Sequence, residues 1–279
     1  MAATLQTART PGSTVDKAAR PRRRGIGPRV GQLIQIVSLI LVLLAWQLSG
    51  NFLNPILIST PSRIVSDFGE ILLNGQLVQA FVGSAVEMAV GFGLACIVGI
   101  SLGVLMGRWR TAEHAVDPLV SFGNATPTIA LLPVMEIWFG LGLAARLAFI
   151  FVICIWSLLI NTLAGVKNVN RGWADVGRSF GLSPFEATRR IFIPAAMPFI
   201  FAGMRLALAQ AAVGMILSGQ EIGETGLGGL VENFGSFFQT GHLIASIVSS
   251  TGLAFIAFWL LARAQAHFCP WIRAMSARR

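Results

Sequence analysis

Six long apolar runs leave this chain few ways to fold. They occupy residues 33–50, 80–106, 117–139, 146–166, 195–218 and 241–263, each close to the roughly 20 residues that a helix needs to cross a bilayer. In lipid no water satisfies backbone N–H and C=O groups, so a spanning segment must be a helix or a strand of a closed barrel. Barrel strands are about 10 residues long and alternate apolar with polar, whereas these runs are longer and continuous. The expected fold is an all-α integral membrane protein with six transmembrane helices. Charged residues make up only 12% of the 279, against about a quarter in a soluble domain.

A net charge of +9 invites a nucleic-acid or anion-binding reading, but the positions of the charges argue for topology instead. With the N-terminus in the cytoplasm, 18 of the 21 basic residues fall on the cytoplasmic side, as the positive-inside rule requires. They include Arg22, Arg23, Arg24, Arg108, Arg110, Lys167, Arg178, Arg189, Arg190 and Arg263. Arg63 and Arg146 fall outside, together with the acidic Asp67, Glu70, Glu221, Glu224 and Glu232. No nucleic-acid partner is expected; membrane lipid is.

Residues 1–30 are rich in Arg, Pro, Gly, Ala and Thr and are expected to be a disordered basic cytoplasmic tail. A signal peptide is the rival reading. The apolar run is long for one, and "AWQLSGN" offers no small-x-small cleavage site, so an uncleaved first span is expected. Residues 31–275 then form the membrane domain, with a core over 80–266, and 276–279 a cytoplasmic end. Both termini are cytoplasmic in this reading. Cys96, Cys154 and Cys269 make no ligand or disulfide pattern and read as small hydrophobes.

Within the spans, Gly91, Ala95, Gly99, Gly103 and Gly107 recur at steps of four. They form one helix face that lets a neighbouring backbone approach, either as fixed packing or as a sliding surface. Gly203, Ala207 and Ala211 repeat the device. Pro127 and Pro133 interrupt the third run, "NATPTIALLPVMEIWFGLG", and carbonyls freed by proline must be buried in protein or line a wet cavity. Asn124, Thr126 and Pro127 are therefore candidate pathway residues, with Asn161 and Gln210 in later spans. Glu87 and Glu136 are ionisable residues inside spans, expensive there and functional by default; Glu87 needs a partner or a proton.

Between the fourth and fifth runs lies a polar stretch, "DVGRSFGLSPFEATRRIFIP", Asp175 to Pro194. Trp173, Val176 and Phe180 share one helical face, and Gly181 suits a left-handed helix end. The chain then restarts with Ser183 as cap, Pro184 in the first turn and Glu186 three residues after the cap. The second short helix is expected to run to about Ile191 and stop before Pro194. Such stop-and-start signals specify a stiff hairpin over 173–194. Phe185 near its tip asks for a pocket, and Arg189 and Arg190 for acidic partners; an amphipathic segment lying on anionic lipid is the alternative.

These residues resemble the cytoplasmic signature of permease subunits of bacterial binding-protein-dependent ABC importers: E-A-A, three residues, G, nine residues, I-x-L-P. "DVG" at 175–177, Gly181, Ile191, Ile193 and Pro194 stand at that spacing, with Asp175 for Glu, Val176-Gly177 for Ala-Ala and Ile193 for Leu. "EAT" at 186–188 is a decoy, since no glycine follows Thr188 by four residues. The longer match, over about residues 60–270, is similar to the nitrate/sulfonate/taurine permeases through "LLINTLAGVKNV", "GMRLALA" and "TGLGGL".

The resemblance implies a type I importer permease fold in the bacterial inner membrane. It also implies a second permease copy, two ATP-binding subunits that hold ATP and Mg, and a periplasmic substrate-binding protein. The hairpin is then the coupling helix, with Asp175, Gly181, Ser183, Pro184, Phe185, Glu186, Arg189, Arg190 and Pro194 as its working residues. The implied cargo is a small solute such as an aliphatic sulfonate, taurine or a nitrate-like anion, or else a vitamin or pyrimidine precursor.

The chain's own motifs agree with a subunit that is not itself an enzyme. It contains no G-x-x-x-x-G-K-[ST] and no H-E-x-x-H, so neither a P-loop nor that zinc site is expected, and no catalytic, cofactor or metal residues are assigned. His114, His242 and His267 are scattered in sequence. An ion-coupled secondary transporter using Glu87 and Glu136, and a membrane scaffold without transport, are the readings from other classes.

Overall fold

A computed structural model describes residues 28–50, 54 and 58–270. Of the basic tail expected over 1–30, residues 1–27 lie outside the described residues, as does the end at 276–279, whereas residues 28–30 already belong to a helix. Among those described there are only helices and turns, and the chain divides into two units at Ala45 and Trp46. The N-terminal unit is the apolar helix α1 (Pro28–Ser49) up to Ala45, free of acidic and basic residues from Val30 onward.

The second unit follows a consistent logic of caps and apolar faces. Helix α2 (Pro61–Leu73) starts on Thr60, whose hydroxyl accepts from the Arg63 N–H, and ends before Gly75 at φ +82°. Helices α3 (Gln76–Arg108), α6 (Leu143–Lys167), α9 (Ile193–Glu221) and α11 (Thr240–Phe268) are the long apolar elements. With α1 they make five helices able to cross a membrane, and six if a bent pair counts as one span. The shorter α10 (Gly226–Ser236) packs against α9, α11 and α3.

The expected third span, 117–139, is not one helix. Helix α4 begins earlier (Arg110–Ala125) and turns by 96° through a 3-10 turn at Thr128–Leu131 into α5 (Leu132–Phe139). Thr126 is extended (ψ 127°), the conformation forced on a residue preceding proline, so Pro127 breaks the span where a kink was expected. The other five runs fall inside the observed helices, apart from one terminal residue at Gly50.

The glycine stripe is where α3 meets α6. A Cβ added at Gly99 would lie 2.9 Å from Leu158 Cβ, one at Gly103 2.7 Å from Thr162 Cβ, and one at Gly107 2.7 Å from Val166 Cβ. The register advances in step, so α3 and α6 run parallel. Gly165 meets Phe199 and Gly203 meets Asn161, so α9 runs antiparallel to both. Around this seam lies a core of Ala95, Ile150, Cys154, Leu158, Ala207, Ala211 and Met215.

Gly103→Val should lower stability by about 1–3 kcal/mol by overpacking. Gly93→Val, at a site with nothing within 4 Å, should stay within about 0.5 kcal/mol. Chemical unfolding of the two variants in one detergent checks the difference.

Candidate functional site

The first turns of the hairpin are assembled from local signals. Helix α7 (Arg171–Ser179) opens on Asn170, whose side chain accepts from the Gly172 N–H at 2.8 Å. It closes with Leu182 N–H to Gly177 O (3.1 Å) and Gly181 N–H to Arg178 O (2.9 Å). Those bonds, with Gly181 at φ +76°, form a Schellman end. At Gly177, where the resembled signature has alanine, a Cβ would lie 2.6 Å from Ile191 Cδ1, the movable end of that side chain.

The short helix α8 (Pro184–Ala187) carries the expected capping box. Ser183 N–H donates to Glu186 Oε2 at 3.0 Å, and Glu186 N–H donates to Ser183 Oγ at 3.3 Å. The Ser183 N–H and hydroxyl, with some help from Arg190, hold the Glu186 carboxyl below the usual carboxylate range.

Helix α8 does not stop before Pro194, contrary to expectation. A π turn at Thr188–Phe192 carries it directly into α9. Ile193 N–H reaches back five residues to Thr188 O, and Pro194, which has no N–H, follows where the register shifts. This is how a proline fits inside a continuous helix. From Pro184 to Glu221 the helix is 38 residues, about 57 Å against a hydrocarbon layer of about 30 Å. Its charged first turns therefore project beyond the lipid.

One side of the hairpin is anchored. Arg108, at the end of α3, donates from Nε to Thr188 Oγ1 at 2.9 Å and stacks 3.8 Å from the Phe192 ring. Phe192, Ala174, Val166, Val169 and Ala196 form a buried cluster. The other side is bare: Phe180 is 82% and Phe185 71% exposed, and Trp173 and Val176 are more than half exposed. An apolar groove of about 790 Å³ runs between Trp173, Phe180, Ile191 and Pro194. Asp175 pairs with the exposed Arg178 (3.4 Å), and Arg190 lies 3.9 Å from Glu186. Arg189 is exposed.

The candidate pathway residues fall in separate places. Ser157 Oγ donates to Gln210 Oε1 (2.6 Å), and Asn161 Nδ2 donates to Ser157 O (2.8 Å), so Asn161 and Gln210 meet around one serine between α6 and α9. The Thr126 hydroxyl donates to Phe122 O (2.8 Å) and so finishes α4, while Asn124 and Pro127 are exposed. Glu136 is half-buried on α5.

Glu87 has its partner. Arg146, expected outside, is buried in α6, with Nη2 2.9 Å and Nε 3.0 Å from Glu87 Oε1. Its Nη1 donates to Ile222 O at 3.0 Å, so one guanidinium ties α3, α6 and the end of α9 together. The sequence signal available was an arginine within the first turn of an apolar run. Breaking a buried pair costs about 3–5 kcal/mol, whereas replacing both members with apolar residues is often neutral. Arg146→Met should therefore be strongly destabilising and Glu87→Met/Arg146→Met should recover at least half of the loss. A double-mutant unfolding cycle with additive effects would contradict the pairing.

Comparison with known proteins bears on the same elements. Residues 95–268 match the family described as binding-protein-dependent transport system inner membrane component. The chain is 29% identical over 262 residues to the nitrate import permease protein NrtB of Synechocystis, covering 86% of this chain and 93% of that one. It is 25% identical over 245 residues to the taurine transport system permease protein TauC of Escherichia coli, covering 85% and 89%. Among solved structures, an inward-facing MetNI methionine ABC transporter chain superposes with a TM-score of 0.61 at 17% identity. That match covers 69% of this chain and 95% of that one, and it speaks to the fold.

Proposed function

The chain belongs to the family of binding-protein-dependent transport system inner membrane components, and from that membership we propose how it works. It is a multi-pass ABC importer permease subunit for an anion or other small solute. In the proposed assembly, two copies pair in the bacterial inner membrane and line a pathway that opens alternately to each side. Two ATP-binding subunits dock on the cytoplasmic hairpins, and a periplasmic binding protein delivers the solute. ATP and Mg are held by the partner subunits. The cargo is proposed to be an aliphatic sulfonate, taurine or a nitrate-like anion. A formylaminopyrimidine permease relative, ThiX of Halalkalibacterium halodurans, at 25% identity over 237 residues, favours a pyrimidine precursor as the second reading.

The observation that carries the coupling role is the bare aromatic face on a stiff, anchored hairpin. Exposed large aromatics cost free energy in water unless a partner covers them, and Phe185 with Arg189 and Arg190 beside it suits an apolar socket rimmed by acidic groups. Because π-turn and helix are continuous from Pro184 to Glu221, displacement at the knob acts on α9 directly. An ion-coupled carrier would use Glu87 as a mobile proton site, and the fixed Arg146 beside it weighs against that.

Phe185→Ala should remove about 2 kcal/mol or more of docking energy, on the order of 30-fold in affinity for the ATP-binding subunit. Reversing Arg189 and Arg190 to Glu should abolish stimulation of ATPase activity by loaded binding protein. Membrane insertion stays normal in both. Unchanged stimulation in both variants overturns the coupling role, and uptake driven by a proton gradient without the ATPase overturns the importer mechanism.

A further inference from the structure

At the end of the bundle away from the hairpin, α2 lies against the start of α11 and brings three ligand-bearing side chains together. His242 Nδ1 is 3.7 Å from Asp67 Oδ2, and its Nε2 is 3.5 Å from Glu70 Oε2. One ligand atom from each residue falls within 4.8 Å of the others. Atoms bound to one tetrahedral Zn2+ at about 2.0–2.1 Å lie roughly 3.3 Å apart. A single ion takes one imidazole nitrogen; with Nδ1, on the Asp67 side, as that ligand, Glu70, whose side chain is 69% exposed, must swing from Nε2 towards it. The imidazole is steadied by the Phe234 ring, 5.0 Å away between centroids.

Two features separate this cluster from an ordinary acidic surface. The nitrogen–oxygen separations exceed good hydrogen-bond lengths, and among the described residues no Lys or Arg forms an ion pair with either carboxylate. Arg63 lines the same recess without reaching them. In addition, Ser59, 1% exposed, has a buried Oγ with no hydrogen-bond partner. That oxygen and Asp67 Oδ2 both approach the face of Gly241 where a Cβ would stand. Trp46 Nε1 holds the segment in place through Ser59 O at 3.1 Å. A buried polar atom without a partner calls for an occupant such as ordered water or an ion.

We propose that Asp67, Glu70 and His242 bind one first-row divalent cation. An imidazole with two carboxylates favours Zn2+ or a similar transition ion over Mg2+ or Ca2+. Water completes the coordination and supplies the partner that Ser59 Oγ lacks. The cation clamps α2 to α11. The site is independent of the transport reading, because it needs neither the hairpin nor an ATP-binding subunit.

The test uses the full-length chain in detergent with its affinity tag removed. Titration with Zn2+ should show one equivalent bound per chain and raise the thermal unfolding midpoint. Co2+ should give visible d–d bands that Zn2+ displaces, and Mg2+ should do neither. Glu70→Gln, on the exposed side of α2, should fold as wild type and bind Zn2+ at least about tenfold more weakly. His242→Ala and Asp67→Asn should do the same or more. Gly241→Ala should weaken binding without removing a ligand, because its Cβ displaces the Asp67 carboxylate. Three results would overturn the proposal: wild-type protein without Co2+ bands, Zn2+ affinity unchanged in all three ligand variants, or an equal response to Mg2+.

Discussion

The close backbone approach of α3, α6 and α9 is the contact on which the molecule depends. Lipid tails are as apolar as leucine, so burying hydrocarbon between helices gains little in a membrane, and dispersion at short range must hold the bundle. Glycines at 99, 103, 107, 165 and 203 permit that range, each with a neighbouring side chain less than 3 Å from where a Cβ would be. Once these three helices are in register, other features follow. Ser157 reaches Gln210, Cys154 Sγ donates to Ala207 O at 3.2 Å, and Arg146 meets Glu87.

The same register brings the ends of α3 and α6 under the hairpin. Arg108 grips Thr188 and Phe192, while Val166 and Val169 close the cluster beneath. Two features hold the hairpin's shape: its turns carry an Asn170 cap, a Schellman end and a capping box, and its second half is continuous with α9. Under the proposed coupling role, a load applied at Phe185 would pass along one continuous helix to the middle of the packed seam.

Much of this was readable before any coordinates. Length and apolar continuity are local properties, so five runs emerged within a few residues, and the Gly181 turn and the Ser183–Glu186 box could be located to the residue. What failed was non-local or depended on competing local rules. Pro127 and Pro194 carry the same chemistry, yet one breaks a span by 96° and the other sits in a continuous helix. The difference lies in a π turn that sequence does not announce. Helices α2 and α10 were missed because each is short and only one face is apolar. The pairing of Arg146 with Glu87, 59 positions earlier, and the proximity of His242 to Asp67 and Glu70 could not be read because the partners are distant in sequence.

The central claim is that the bare face of the hairpin is covered by an ATP-binding subunit. Cysteine cross-linking within the assembled transporter tests it most directly, with Cys96, Cys154 and Cys269 replaced beforehand. Phe185→Cys should form an adduct with that subunit whose yield changes with nucleotide. Leu73→Cys, 90% exposed at the opposite end of the bundle, should form none. An assembly that purifies intact, yet gives no adduct from position 185 or an equal one from position 73, would contradict it.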